Sequence, residues 1–272
     1  MNALGDIGEY YSRQTVLPEI GAHGQKMLAQ SRVLVIGAGG LGSPLLMYLA
    51  GAGVGTLGIV DFDIVEPSNL HRQILHGVDR LDTPKTASAI RTLSNINPHI
   101  ELIRHDEPIG TANAERLVSQ YDLVADGSDN FDTRDAVHTA CQRASKTLVS
   151  AAIQLTSGIL TTFKSHEPGE NPCFRCLYPD RPDADFTPSC SAIGVLGPAV
   201  GTMGSLQAIE VIKELLGIAP SLSGTLAMYD AFACEIEKVE LPRRAGCAVC
   251  GIQAYPPVTG GNSPTVSVGR SG

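Results

Sequence analysis

Residues 32–42 read RVLVIGAGGLG. The run RVLVI is short, apolar and β-rich. It ends in Gly37, Gly39 and Gly42 at the G-x-G-x-x-G spacing, and SPLLMYLAGAG (43–53) continues with helical spacing. A strand that turns through such a loop into a helix is the opening unit of a nucleotide-binding α/β sheet. The alternation goes on outward from it. TLGIVD (56–61) is a second strand, closed by Asp61 with Asp63 just beyond. PKTASAIRTLSNIN (84–97) is a helix with Pro84 suited to its first turn, and HIELIRHD (99–106) is a third strand. ANAERLVSQ (112–120) is a helix, DLVADGSD (122–129) a strand, NFDTRDAVHTACQRA (130–144) a helix and TLVSAAI (147–153) a strand. Strands alternating with helices of these lengths predict a Rossmann-like, doubly wound parallel sheet with helices on both faces up to about residue 150.

The flanks differ. Residues 8–30 read as helical with a break near Gly21–Gly24. GILTTFKS (158–165) reads as a strand paired antiparallel, and TLAMYDAF (225–232) and EIEKVEL (235–241) as late strands. GTMGSLQAIEVIKELLG (201–217) is an amphipathic helix stopped at Gly217. Residues 179–189 hold three prolines and three aspartates with little apolar content, which predicts a mobile surface loop. The stretch 251–272 is rich in Gly, Ser, Pro and Thr and is expected to be a disordered tail.

Composition excludes several classes. The net charge of −8 comes with no concentrated Lys/Arg run, which argues against nucleic acid as a partner. No apolar run is long enough to span a bilayer, and the polar N-terminus MNALGDIGEYYSRQ does not read as a signal peptide. A cytoplasmic, reducing compartment follows. There the seven cysteines are expected to be ligands, nucleophiles or core residues and not disulfides.

The Gly loop alone leaves NAD and ATP equally open. Asp61, about twenty residues on, suits a ribose hydroxyl with either ligand. DFDIVEPSNLHRQ (61–73) tilts the balance, because Asn69, Arg72 and Gln73 lie just past the second strand and Lys85 opens the next helix. Two cations at the carboxyl ends of the strands suit a triphosphate better than a pyrophosphate. In DGSDN (126–130), Asp126 or Asp129 could hold magnesium between phosphates, or either could cap the following helix. Cys173 and Cys176 form one C-x-x-C, and Cys247 and Cys250 a second. Together they predict a closed four-cysteine zinc site of structural type. Cys141 and Cys234 read as core. Cys190, after the 179–189 loop, is open between a sulfur- or acyl-accepting nucleophile and a small buried residue.

Taken together, GAGGLG, DFDIVEPSNLHRQ, Pro84–Lys85, DGSDN, the two C-x-x-C pairs and the run from Cys190 through GVLGP and GSLQA resemble the ThiF/MoeB/HesA adenylyltransferases, relatives of the ubiquitin-activating enzymes. The resemblance covers residues 10–250. YSRQ (11–14), YLAGAGVGTL (48–57), LYPD (177–180) and RRAGCAVCG (243–251) resemble ThiF more than MoeB. It implies one adenylation domain over 1–250, made of an N-terminal helical arm (1–30), a nucleotide-binding half (31–150) and a carrier-binding and zinc half (151–250). The implied reaction is ATP- and magnesium-dependent adenylation of the C-terminal glycine carboxylate of a ubiquitin-like sulfur carrier. The carrier is of ThiS type in thiamine biosynthesis, or of MoaD type in molybdopterin biosynthesis. By motif, Gly37, Gly39, Gly40, Gly42, Asp61 and Asp63 would hold the nucleoside side. Asn69, Arg72, Gln73 and Lys85 would contact phosphates. Asp129, next to Asn130, would bind magnesium, and Arg13 would reach into a homodimer partner's site. Cys190 matches a cysteine that can link to the carrier in some relatives. His71 stands where many relatives have Gln, and no role is assigned to it. The resemblance also implies a separate cysteine desulfurase or rhodanese as sulfur donor, since residues after Cys250 are too few and too polar to fold as a rhodanese-like extension. Two other classes compete: an NAD-dependent oxidoreductase, which would need a His or Tyr/Lys acid–base pair, and a non-catalytic nucleotide-binding adaptor.

Overall fold

The first strand, β1 (Arg32–Ile36), lies near the middle of an eight-stranded sheet and is buried from Val33 onward. The computed structural model describes residues 7–180 and 194–251. β1 pairs in parallel with β2 (Thr56–Val60) on one side and β4 (Leu123–Asp126) on the other. β3 (Glu101–His105) lies outside β2, and β5 (Thr147–Gln154) outside β4. The order continues with β6 (Ser157–Phe163), β7 (Thr225–Asp230) and β8 (Glu235–Glu240), each antiparallel to its predecessor. The sheet therefore runs β3-β2-β1-β4-β5-β6-β7-β8. The order reverses between β1 and β4, and a ligand of such a sheet binds at that switch point, outside the carboxyl ends of the strands.

The parallel half turns antiparallel in a two-residue connection. Gln154 pairs with Ser157, and Leu155 between them takes a left-handed φ of 54°. A tight hairpin needs positive φ, and here it is imposed on a leucine that is 53% exposed.

Strand alternation sorts the core into two layers. Val33 and Val35 face one cluster, Leu34 and Ile36 the other. The first cluster is closed by α4 (Gly42–Ala52), α5 (Lys85–Ile96) and α9 (Gly197–Leu216), through Leu45, Leu49, Leu93, Met203 and Val211. The second is closed by α6 (Ala114–Val118) and α7 (Phe131–Arg143), with Phe174 of α8 (Phe174–Leu177) added beneath. Helices thus cover both faces.

Several boundaries differ from the sequence expectation. The opening segment forms α1 (Ile7–Tyr10), α2 (Ser12–Thr15) and α3 (Gly21–Gln30), so the break falls at 16–20 and not at Gly21–Gly24. Pro18 explains it: proline disfavours helix at the residue before it and donates no hydrogen bond. Gly24 instead sits inside α3, where Ile20 and Leu216 pack on it. Helix α9 starts at Gly197, four residues before the expected start, with Pro198 in its first turn, and ends at Gly217 as expected. Cys141 is buried as expected, but Cys234 is not core. It is exposed in the β7–β8 turn with φ 57°, next to Phe232, which is 81% exposed. The 181–193 part of the Pro/Asp-rich loop, with Cys190, and residues 252–272 lie outside the described residues.

Candidate active site

The Gly loop caps the switch point. Gly37 turns the chain at φ 90°, and the helix that follows begins at Gly42. A side chain at Gly42 would place its Cβ 1.9 Å from the Gly37 carbonyl oxygen, so only glycine permits this closure. A Cβ at Gly37 would sit 3.5 Å from the Gly127 carbonyl oxygen. The loops after β1 and β4 therefore abut, as the strand order requires.

Ala38, inside the loop, is held from both sides. Its N–H donates to Asp61 Oδ2 at 2.8 Å, and its carbonyl accepts from His76 Nε2 at 2.9 Å. Asp61 also accepts the Asp63 N–H on Oδ1 at 2.9 Å. Each carboxylate oxygen keeps one lone pair for another donor, such as a sugar hydroxyl. Burial raises the Asp61 pKa, with Lys85 pulling the other way. His76 is buried and neutral: its pKa falls to about 4 because the cation would be desolvated. It donates to Ala38, so its Nδ1 accepts from Ser88 Oγ at 2.8 Å.

The chain after β2 brings the other polar groups to this loop. The Lys85 N–H donates to the Asp63 carbonyl at 2.9 Å, and Val65 exchanges backbone bonds with Asp82 and Thr83. That pairing sets Lys85, only 6% exposed, beside Asp63, and its Nζ meets Asp63 Oδ2 at 2.8 Å. Asn69 is buried at the end of a 3-10 turn (Pro67–Asn69) and accepts the Glu66 N–H at 3.2 Å. Arg72 Nη1 donates to the Ser68 carbonyl at 2.8 Å and to His71 Nε2 at 2.9 Å. Gln73 is 4% exposed, yet its Oε1 has no hydrogen-bond partner among the described residues. Its Nε2 lies 3.7 Å from where a Gly39 Cβ would stand, and Arg72 Cγ lies 3.8 Å from a Gly40 Cβ. Gln73 Nε2, an amide donor beside the glycine turn, and two cations fit a polyphosphate ligand, while the orphaned Oε1 is an acceptor left for a hydroxyl or water.

On the β4 side, Asp126 and Asp129 part ways. Asp126 is buried, and its Oδ1 accepts the Ser128 N–H at 2.9 Å. Asp129 is exposed, with no hydrogen bond or ion pair among the described residues. Neither caps α7; Asn130 does, accepting the Thr133 N–H on its side chain at 2.9 Å. Arg13 is exposed on α2, and no contact joins it to the Gly loop among the described residues.

A profile of the ThiF family matches residues 11–249. The chain belongs to the ThiF family. It is 47% identical over 242 residues to the Bos taurus protein named adenylyltransferase and sulfurtransferase MOCS3, covering 89% of this chain and 52% of that one. The Xenopus laevis MOCS3 protein is 44% identical over 241 residues, covering 88% and 53%. The ThiF family chain thus spans about half the length of these relatives. A Thermus thermophilus sulfur carrier protein adenylyltransferase is 42% identical over 245 residues, covering 89% of this chain and 90% of that one. Among solved structures, Escherichia coli MccB with ATP superimposes with a TM-score of 0.76 at 22% identity, over 89% of this chain and 74% of MccB. At that identity the likeness speaks for the fold alone.

The four cysteines of the two C-x-x-C pairs come together in this ThiF family chain. Their sulfur atoms all lie within 4.8 Å of one another, and all four residues are buried. Cys173–Cys176, Cys173–Cys247 and Cys176–Cys250 sulfurs are 3.9, 3.5 and 3.4 Å apart. Sulfurs bound tetrahedrally to zinc at about 2.3 Å lie about 3.8 Å apart, so the cluster fits the ion. The neighbouring thiols, Cys173 first, favour the Cys250 thiolate and lower Cys250 to about 5, and the same proximity pushes Cys173 up. The Arg244 N–H points at Cys176 Sγ at 3.4 Å, and Arg243 Nε donates to the Cys250 carbonyl at 2.8 Å.

Three groups support the nucleotide loops: His76 and Arg134 lie outside the quoted motifs, and Gln207 lies in GSLQA with no role read from it. His76 clamps Ala38 across 38 residues. Gln207, fully buried in α9, donates to the Asp126 carbonyl at 2.9 Å and the Val149 carbonyl at 3.1 Å. Arg134 in α7 runs back under the β4 loop to the Ser128 and Ala151 carbonyls. All three contacts cross between elements, and besides its place in GSLQA only a polar residue inside an apolar helical pattern hints at Gln207.

Proposed function

We propose that this protein adenylates the C-terminal glycine carboxylate of a small ubiquitin-like sulfur carrier protein, using ATP and releasing pyrophosphate. One observation carries the reading: Arg72, Lys85 and the Gln73 amide donor Nε2 gather beside a glycine turn at the switch point, with the Asp129 carboxylate exposed at the adjoining loop. The printed name of the Thermus thermophilus relative supports the carrier as substrate. An NAD enzyme has less use for two cations there.

In the reaction the carrier carboxylate, already ionised at neutral pH, attacks the α-phosphorus. A carboxylate–phosphorus bond forms, the bond to the β-phosphoryl oxygen breaks, and the pair leaves with pyrophosphate. No general base is needed. The obstacle is repulsion between anions, and cations plus positioning reduce it. The Gly37–Gly42 turn admits the phosphates, and Asp61 takes the ribose. Lys85 shares its charge between Asp63 and phosphate, while Asn69, Arg72 and Gln73 orient the remaining oxygens. Magnesium at Asp129 would neutralise charge on the leaving group. Zinc at Cys173, Cys176, Cys247 and Cys250 would be structural. Arg13, exposed and without a contact to its own Gly loop among the described residues, would serve the partner's site in a homodimer. On this reading residues 1–250 act as one adenylation domain with its arm at 1–30, nucleotide half at 31–150 and carrier and zinc half at 151–250. Cys190 would accept either sulfur, supplied by a separate desulfurase or rhodanese, or the acyl group of the adenylated carrier, with AMP leaving.

Resemblance to ThiF favours a ThiS-type carrier; a MoaD-type carrier is the second reading. Intact-mass measurement of each carrier after incubation with the protein and Mg–ATP decides. An AMP adduct on the ThiS type alone is expected. An adduct on the MoaD type alone moves the enzyme to the second reading, and no adduct on either, despite ATP binding, overturns carrier adenylation.

A further inference from the structure

The loop that carries Asp129 is tied to β5 and α7 by a single arginine, Arg134. Arg134 sits one turn into α7, and its side chain is only 12% exposed. Nη2 donates to the Ser128 carbonyl and, at 2.9 Å, to the Ala151 carbonyl. Nη1 donates to Ser150 Oγ at 3.3 Å and lies 3.8 Å from Asp126 Oδ2. The N–H of Ser128 is taken by Asp126 Oδ1 at 2.9 Å, so both polar backbone groups of Ser128 are fixed. On the other side of Asp129, Asn130 is tied to α7 as its cap. Asp129 thus stands between two anchored neighbours, while its own carboxylate is exposed and unpartnered among the described residues. A carboxylate held ready but unspent on protein contacts is what a cation site needs.

We propose that Arg134 is a positioning residue that presents the Asp129 carboxylate to a divalent cation at the phosphate end of the nucleotide site. The proposal rests on the reading of Asp129 as the magnesium ligand. A plain alternative is that Arg134 only neutralises buried Asp126. The two differ in sign. If charge were all that mattered, removing the cation would leave Asp126 uncompensated, make the loop more negative and tighten cation binding. If the guanidinium fork sets the loop, removing it loosens Asp129 and weakens binding, despite the more favourable charge. Groups that orient a metal ligand from behind are worth about 10–100-fold in metal affinity.

The test is binding of Mn2+, read by electron paramagnetic resonance on the full chain with a non-hydrolysable ATP analogue, and Mg2+ dependence of the adenylation rate. Arg134→Gln is expected to weaken Mn2+ binding about tenfold or more and to raise the Mg2+ needed for half-maximal rate by the same factor. Analogue affinity without metal should be unchanged. Arg134→Lys keeps the charge but not the fork, and should recover only part. Unchanged or tighter Mn2+ binding in Arg134→Gln, with binding lost in Asp129→Asn, overturns the role of Arg134 and leaves Asp129 standing. Unchanged binding in Asp129→Asn overturns the reading of Asp129 and the proposal with it. Should Arg134→Gln fail to fold, Arg134→Lys carries the test, and wild-type Mn2+ binding there overturns the proposal.

Discussion

Lys85 shows how a single residue serves two states. Its ammonium is almost fully buried, and its partner, Asp63, has a half-exposed side chain. A phosphate arriving at the Gly loop would meet a cation already placed and only partly satisfied. Lys85→Ala should lower kcat/KM for adenylation by about a hundredfold or more, the usual loss for one charge-stabilising group. Stability should hardly change, because Asp63 stays solvated once its partner is gone. A purified Lys85→Ala protein with wild-type turnover would remove Lys85 from the site. Lys85 is legible in the sequence because it opens a helix after a strand and its neighbours name the motif. His76 and Arg134 are not legible. Their partners, at Ala38 and Ala151, are backbone carbonyls on other elements, and no local pattern encodes a carbonyl. Cys234 misleads for a related reason. Its apolar neighbours in AFAC suggest a strand, yet residues 231–234 form the turn between β7 and β8 and point Phe232 into solvent. Apolar content alone does not separate a turn from a strand end.

Among elements, the cysteine cluster joins what the sheet does not. The turn at α8 and the segment after β8 lie 74 residues apart, and their contact is made of Cys173–Cys247 and Cys176–Cys250, the Arg244 N–H on Cys176 Sγ and the Arg243 guanidinium on the Gly169 carbonyl. An ion there closes a long loop. The α8 turn in turn packs on α7: Arg175 bonds Asp135 at 2.7 Å, and the Phe174 and Phe131 rings are 5.2 Å apart. Since α7 starts just after Asp129, loosening the cluster loosens one end of the nucleotide site indirectly. Stripping zinc with a chelator, or Cys247→Ser, should lower Tm by about 10 °C or more, with the metal's return restoring it after chelation. Metal analysis should find one zinc per chain before treatment. Identical melting curves with and without chelator would mean the cysteines hold no structural ion. The spacing of the two C-x-x-C pairs is readable, since each ligand pair is local. The element the cluster rests on is not, since Arg175 and Asp135 meet only through the α7–α8 packing.

Over the whole molecule, acid should act on both faces of the sheet at once. His76 lies beside Ser88 of α5, on the face closed by α4, α5 and α9. His138 lies on the other face, in α7, stacked near Phe163 and Phe174, with neither ring nitrogen hydrogen-bonded among the described residues. Burial depresses each pKa from 6.5 to about 4. In that window the unfolded chain binds a proton at each histidine and the folded chain does not, so folding stability is full above pH 6.5 and falls as pH drops toward 4. The slope is about 1.4 kcal/mol per pH unit for each histidine, or up to about 3 kcal/mol apiece at pH 4. Two such groups could remove a large share of a stability that is about 5–15 kcal/mol for ordinary domains. Urea unfolding at pH 7.5, 6 and 5 should therefore show midpoints falling together with unchanged m-values. His138→Leu removes one titrating group and leaves no polar atom unpaired, so it should flatten the slope between pH 6.5 and 4 by up to about 1.4 kcal/mol per pH unit, while burial still lowers the pKa of His76, His105 and His166. If His138→Leu and wild type lose stability in parallel, the His138 imidazole is not what acid attacks, and the loss comes from the remaining histidines or from carboxylates.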